Sequence, residues 1–424
     1  MGNPIIIVQG GQFGSESKGL VAGYLCKKER MDIAVRTGAV NAGHSVYYNG
    51  SRYVNQQLPV GWVNPDTRLV IGAGALIDPT ILDREVREIS ALTGTDIRER
   101  LSIDRRAGIH RPYHAARSKD SGRHHAIGAT GKGASEALVE RITGRGLGYQ
   151  QFGDTHESDG YDVCDTEALL NYSWNEGAKI LLEGTQGQLL DLYLGPYPYT
   201  THKQTGPAQW MLECGLSPAL PTEICMVVRT YPIRVAGNSG PMPQETSWPE
   251  LAREMNALRD RAGLPPLLRE GAIASFEEAV VEAGKNFDGP ANWSHLNQHR
   301  WSAADRLNYQ AALSEVHKTA LMSLPEATVK ELSTLFELTT VTKKLRRIAR
   351  LDRETVETAA RQIRPAWVAL TFANYVWPES WFTLPREWTA DQQEYTRQLE
   401  EWCRASVRLV SFGPEDCHTL DRKV

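Results

Sequence analysis

The chain has 424 residues, 41% of them hydrophobic, with 36 Gly and 22 Pro, the composition of a loop-rich globular protein with a large core rather than of a disordered or fibrous one. Lys and Arg total 47 against 51 Asp and Glu, a formal charge of −4 without any like-charge block, so the electrostatic footprint of a nucleic-acid binder is absent. Six scattered cysteines without zinc-type spacing read as reduced thiols, and no apolar run approaches the ~20 residues of a membrane span, so a cytoplasmic protein without membrane or nucleic-acid partners is expected.

In chain order, an apolar run from Ile5 to Val8 predicts a strand, Gly10 to Gly19 a glycine-rich turn, and the spacing of Leu20, Val21, Tyr24 and Leu25 a helix. Such a turn aims backbone N–H groups and a helix N-terminus at one spot where Lys18 adds a charge, which suits a phosphate. It is not a Walker A loop, because Ser17 stands where that pattern needs Gly, and taken alone it is equally a tight strand-to-helix connection. Further strands are predicted at Ile33 to Val35, Leu69 to Ile71, Ile180 to Leu182, Met226 to Arg229 and Ala366 to Phe372, alternating with helical patterns such as Ile81 to Leu92. This alternation predicts an α/β fold with a mostly parallel central sheet wrapped by helices, its binding loops at the strand C-termini. The whole chain reads as one domain carrying a helical insertion at about 248–335, rich in Glu, Ala and Arg and broken near Gly263 to Pro266 and Asn286 to Pro290. The late tryptophans, Trp248 to Trp402, read as closing cores or interfaces.

Five further segments follow: Asn41-Ala42-Gly43-His44-Ser45, Gly128-Ala129-Thr130-Gly131-Lys132-Gly133, Glu183-Gly184-Thr185-Gln186-Gly187, Tyr197-Pro198-Tyr199-Thr200-Thr201 and Ser411-Phe412-Gly413-Pro414. With the first turn, in this order and at these separations, they resemble the adenylosuccinate synthetase family, whose segments read GxQWGDEGKGK, NAGHT, TTGRG, FEGAQG, YPYVTS and STGP. The resemblance implies a ligase in which a nucleoside triphosphate phosphorylates the 6-oxygen of a purine nucleotide and the amino group of aspartate then displaces that phosphate, with Mg2+ between the phosphates and a homodimeric assembly. It implies catalytic roles for Ser15, His44 and Gln186, His44 and Gln186 donating toward the 6-oxygen, where charge develops. Asn41, Thr130 and Thr201, with Gln186 and Ser15, match the acceptor nucleotide's site, and Arg145 lies near the arginine that the family lends across a dimer interface, a one-residue shift being possible there. Gly14, Ser17, Lys18, Gly19, Ser411, Gly413 and Pro414 match the triphosphate site, Ser15 and Gly43 the metal site, and Thr342, Lys344 and Arg346 the loop that takes the carboxylates of aspartate. Lys344 replaces an arginine there, losing the planar fork.

Three departures fall on the site itself. Ser15 stands where the usual family has an aspartate that takes the purine N1 proton, and a serine hydroxyl is a poor base unless activated. Being short and uncharged, it leaves room for an exocyclic amino group at purine C2, which points to a guanine nucleotide and to the phage 2-aminoadenylosuccinate synthetase branch, acting on dGMP. Phe372 and Asn374 replace the Lys-x-Asp pair that reads the guanine of the donor; an amide can match adenine, and a phenyl ring can stack on it, so ATP or dATP is the expected donor. The alternatives are an ordinary synthetase using IMP and GTP, and a catalytically silent nucleotide-binding paralogue, against which the retained His44 and Gln186 count.

Overall fold

The computed structural model describes residues 2–285, 303–339 and 344–422. Its centre is a ten-stranded sheet. In chain order the strands are β1 (Ile5–Gly10), β2 (Ile33–Arg36), β3 (Arg68–Ile71), β4 (Leu101–Asp104), β5 (Asp162–Cys164), β6 (Ile180–Glu183), β7 (Thr222–Arg229), β8 (Trp367–Thr371), β9 (Ser406–Ser411) and β10 (Thr419–Asp421). Their spatial order is β10-β9-β8-β7-β1-β6-β2-β3-β4-β5. Every pairing is parallel except that of β9 with the edge strand β10.

Parallel strands covered by helices on both faces need apolar side chains on both. β1 supplies them, since Ile5, Ile7 and Val8 are all fully buried. The helix Lys18–Lys28 lays Leu20, Val21, Tyr24 and Leu25 against the sheet, each such burial contributing roughly 1.5–3 kcal/mol. Gly19 lets this helix approach the hairpin of strands His44–Tyr48 and Ser51–Asn55, because a Cβ there would lie 2.5 Å from Ser45 O and 2.9 Å from His44 Cβ.

The chain moves from β1 outward through β2 to β5, returns through β6 beside β1, and then builds β7 to β10 on the other side. The direction of winding therefore changes at β1, and the loops leaving β1, β6 and β7 open side by side at the sheet's C-terminal edge, where open α/β sheets bind ligands. Register puts charged residues in one row there: Glu183 pairs with Arg36, and Arg229 with Thr371.

The stretch expected to be an insertion, 248–335, holds helices at Trp248–Arg261, Glu270–Lys285, Ala303–Ser323 and Glu326–Leu332. They form a second core with Leu251, Met255, Ile273, Phe276 and Leu332. Ile233, Leu345, Ile348 and Tyr375, from outside the insertion, belong to the same cluster. Among the described residues no helix is long and apolar enough to cross a membrane, and all six cysteines are free.

Candidate functional site

The loop after β1 is organised by a side chain that the sequence pattern did not single out. Glu16 is fully buried; its Oε1 accepts from Gln12 N at 3.1 Å and Gly14 N at 2.7 Å, and its Oε2 accepts from Lys18 Nζ at 2.8 Å. A buried ammonium needs a counter-ion, and Glu16 provides one within the loop. The loop therefore carries a partly neutralised Lys18, and two of its backbone donors serve Glu16. Ser15 and Ser17 flank Glu16 in the left-handed region, at φ 62° and 64°, and Ser15 is exposed at the loop's crest.

Facing this loop, β6 ends in Glu183 and continues into Gln186, also left-handed at φ 61°. Gly187 packs so closely under the first loop that a Cβ would lie 2.2 Å from Gln12 O and 2.5 Å from Gly14 N. The loops that carry Gln186 and Ser15 are thus held together by backbone contact.

His44 is buried, with Nδ1 3.0 Å from Glu183 Oε2. Arg36 Nη1 reaches the same oxygen at 3.4 Å, its Nη2 donates to Ala42 O at 2.6 Å, and Glu183 Oε1 accepts from Val60 N at 2.6 Å. Burial pushes the Glu183 carboxyl up to about 7, with Arg36 pulling in the opposite direction. Burial, Arg36 and Lys18 hold His44 well below the usual imidazole range, so the contact between the two is a hydrogen bond of an uncharged ring rather than a salt bridge. The contact holds the imidazole by Nδ1 and turns Nε2 away from Glu183. His44 Nε2 is buried and has no partner among the described residues. One ring nitrogen is therefore fixed by a Glu183–Arg36 pair and left open for a ligand.

The other expected residues are placed as follows. Asn41 and Gly43 lie in the loop that Arg36 holds through Ala42, while Thr130 is exposed in the Gly128–Gly133 segment. Thr201 follows the single helical turn Gln188–Leu190 that comes after Gln186, its backbone N–H donating to Leu190 O at 2.7 Å. Arg145 is exposed beyond the helix Ala134–Thr143, bonded to Ile142 O, whereas the neighbouring Arg141 is spent on Ala73 O and Arg106 O. This favours Arg145 over Arg141 as the residue able to reach outward.

On the other side of β1, Asn374 is 3% exposed, in the turn Ala373–Tyr375 that follows β8. The ring of Phe372 has the Arg229 guanidinium 3.6 Å from its centroid, so one face is already occupied. Arg229 also pairs with Glu337 and donates to Ser15 O at 3.4 Å. Ser411 Oγ donates to Gly413 O at 2.8 Å, shaping the turn that ends in Pro414. Of the aspartate residues, Thr342 lies outside the described residues; Lys344 is ion-paired with Glu315 of the insertion, and Arg346 is beside Glu337, whose charge opposes the lowering of its basicity by burial.

Sequence pattern missed Glu16, Arg36, Glu183 and Arg229 as site residues. The available signal was charge at the C-terminal end of otherwise apolar strands, as in Ile33 to Arg36 and Ile180 to Glu183, where a buried charge demands a partner.

The profile of the adenylosuccinate synthetase family matches residues 7–159 and 156–376, most of the chain. The chain belongs to the adenylosuccinate synthetase family. It is accordingly a carbon–nitrogen ligase that uses a nucleoside triphosphate and aspartate. Similar adenylosuccinate synthetases include that of Pyrococcus sp. strain ST700, 37% identical over 252 residues, 59% of this chain and 72% of the relative. That of Methanococcus vannielii is 40% identical over 248 residues, 58% of this chain and 70% of the relative. Among solved structures, the cyanophage S-2L succinoaminodeoxyadenylate synthetase bound to dGMP and dATP superposes with a TM-score of 0.69 at 24% identity, covering 100% of this chain and 97% of that one. The fully ligated Plasmodium falciparum adenylosuccinate synthetase gives 0.65 at 16% identity, covering 99% and 100%. At these identities both show the shared adenylosuccinate synthetase fold.

Proposed function

We propose that the protein joins L-aspartate to C6 of dGMP with hydrolysis of ATP or dATP, giving 2-amino-N6-succinyl-dAMP for 2-aminoadenine DNA. The γ-phosphoryl group passes to the 6-oxygen, the aspartate amine then bonds to C6, and inorganic phosphate leaves with that oxygen. The observation that carries this reading is Ser15, an exposed, uncharged side chain at the place of the family's aspartate, in a loop packed on the one that carries Gln186. A carboxylate there crowds and repels nothing on a hypoxanthine, which has hydrogen at C2, but meets the 2-amino group of guanine; a hydroxyl leaves space for it and can accept from it. The carboxamide of Asn374 supports an adenine donor, since it offers both a donor and an acceptor. The cyanophage structure with dGMP and dATP agrees in fold with this assignment.

His44 Nε2 and Gln186 donate to the 6-oxygen as charge builds there, and Asn41, Thr130 and Thr201 hold the 5′-phosphate, joined by Arg145 from a second subunit of a homodimer. Lys18, Gly14, Ser17, Gly19, Ser411, Gly413 and Pro414 cradle the triphosphate, Phe372 and Asn374 its base, and Thr342, Lys344 and Arg346 the aspartate. Among the described residues no group of three or more His, Cys, Asp or Glu is arranged to hold a metal. The Ser15 hydroxyl and the Gly43 carbonyl are hard oxygen donors that fit Mg2+ held chiefly by phosphates and water. When bound, Mg2+ supplies neutralisation of phosphate charge; the protein's own part is to orient the two nucleotides around it.

A phosphate-release assay with aspartate, crossing IMP, GMP and dGMP against ATP, dATP and GTP, tests the reading. dGMP with ATP or dATP is expected to be the productive combination. The similarity to adenylosuccinate synthetases at 37–40% identity favours IMP with GTP instead. Turnover of IMP equal to or above that of dGMP establishes that second reading, and inactivity of folded protein with every acceptor in the presence of Mg2+ establishes a silent paralogue.

A further inference from the structure

Arg234 ends the short strand Ile233–Arg234 and is 4% exposed. Among the described residues no carboxylate forms an ion pair with it. Nη1 donates to Pro241 O at 2.9 Å and Nη2 to Tyr199 O at 3.2 Å, and the guanidinium lies 4.5 Å from the centroid of Phe13. Carbonyls and an aromatic face orient a cation without neutralising it. Its cross-strand neighbour makes matters worse: register places Arg347 directly opposite. Glu245 does not compensate both, because Arg347 takes it in a two-pronged contact, Nε to Oε1 at 2.7 Å and Nη2 to Oε2 at 2.6 Å. Burial and the Arg347 charge together push Arg234 down to about 9. A buried charge without a partner costs several kcal/mol, and such arrangements persist where a ligand completes them.

The surroundings say which kind of ligand. Phe13 belongs to the loop after β1, between Gln12 and the Gly14 that packs on Gln186. Tyr199 lies two residues before Thr201. Gly240, with Tyr199 Cβ 2.5 Å from where its own Cβ would be, brings the following turn against the same segment, and Ser239 of that turn packs on Gly128. Three segments assigned to the acceptor nucleotide thus meet around one uncompensated cation.

We propose that Arg234 is a substrate-binding residue whose charge is completed by a substrate oxyanion, supplied by the 5′-phosphate of the acceptor nucleotide or by a carboxylate of aspartate. The inference rests on the reading of the site given above and adds a residue to it. Arg234→Gln and Arg234→Lys should be compared with the wild-type protein by steady-state kinetics, varying acceptor, aspartate and ATP in turn, with thermal midpoints recorded. Removing a charge-assisted contact should raise one KM roughly tenfold or more. The other two should stay within about twofold, and Lys should recover part of the loss. A rise confined to the acceptor identifies the phosphate, and one confined to aspartate the carboxylate. A folded Gln variant in which no KM moves, or in which all three move together, overturns the proposal and leaves Arg234 as a brace for the Tyr199 and Pro241 turns. Should the Gln variant not fold, the Lys variant decides by the same criteria, the loss of the planar fork still being expected to raise a single KM. Should the wild-type protein turn over no acceptor, the functional reading fails, while calorimetric binding of dGMP and of aspartate to wild type and variant still decides the role of Arg234.

Discussion

Gly187→Ala is the sharpest test of how the two central loops are held. Gly187 has φ −138° and ψ 155°, a conformation open to alanine, so the substitution carries no backbone strain of its own. Its effect is steric. The added carbon would sit 2.2 Å from Gln12 O, about 1.2 Å inside the 3.4 Å at which ordinary contact begins, and 2.5 Å from Gly14 N. Both are backbone atoms already fixed, Gly14 N by Glu16 and Gln12 by its side-chain bonds to Arg229 N and O. Neither can rotate away, so the loops bearing Ser15 and Gln186 must part by about an ångström. One inserted methyl in a tight core costs about 1–3 kcal/mol, and rigid neighbours place this one near 3. A displacement of that size between reacting groups costs about 10²-fold in rate. Gly14→Ala is the matched comparison: its φ of +85° strains alanine by about 1 kcal/mol, yet the atom nearest to the added carbon, Gln186 C, would be 3.8 Å away. Turnover and thermal unfolding by circular dichroism should rank Gly187→Ala well below Gly14→Ala in both. A Gly187→Ala protein with wild-type midpoint and turnover within tenfold of wild type refutes the view that contact between these loops sets the site.

His44→Ala and Gln186→Ala should each lower turnover by about 10²–10³ while leaving the KM values for nucleotides nearly unchanged, because their donors act chiefly on charge that develops during reaction; initial-rate kinetics check this, and loss confined to KM contradicts it. Asn374→Asp should move donor preference from ATP toward GTP by roughly tenfold, the scale of a hydrogen bond to a charged group, as read from the ratio of kcat/KM values. Ser15→Asp should diminish dGMP use, and undiminished activity removes Ser15 as the basis of acceptor choice. His317, on the helix Ala303–Ser323 with its ring 5.8 Å from that of Phe276, is held down to about 4 by burial. Its folded value lies below its unfolded one, so the unfolded chain takes up the proton first, and stability falls as pH is lowered from about 6.5 to about 4, by up to about 3 kcal/mol. His317→Phe should flatten that part of a thermal midpoint against pH, and an unaltered acid slope would rule it out.

The strands were legible because a buried parallel strand needs an unbroken apolar run, and Ile180 to Leu182 or Met226 to Arg229 can be little else between turn signals. The loops after them were legible through glycine and the motif order. What could not be read was pairing across the sheet. Nothing local to Arg36 or Glu183 says that register sets them side by side, 147 residues apart, with His44 as the third member. The same holds for Glu16: its position next to Ser15 suggested a loop residue, whereas the need to neutralise Lys18 turns it inward. Lys344 shows the opposite case, an exposed-looking basic run whose partner, Glu315, comes from an insertion that the motif pattern does not cover.

The second core has a bearing on how this chain could have acquired its extra helices and whether it could lose them. Because Ile233, Leu345, Ile348 and Tyr375 are buried against Phe276, Leu251 and their neighbours, the helical stretch 248–335 is not an ornament hung on a finished body. Excising it would strip the cover from the strand Arg347–Ala349, which follows Arg346, and from the turn that carries Asn374, leaving an oily scar next to two binding loops. Shorter relatives must therefore dress that surface differently, and a trimmed version of this protein would need new polar side chains at those four positions before it stayed in solution.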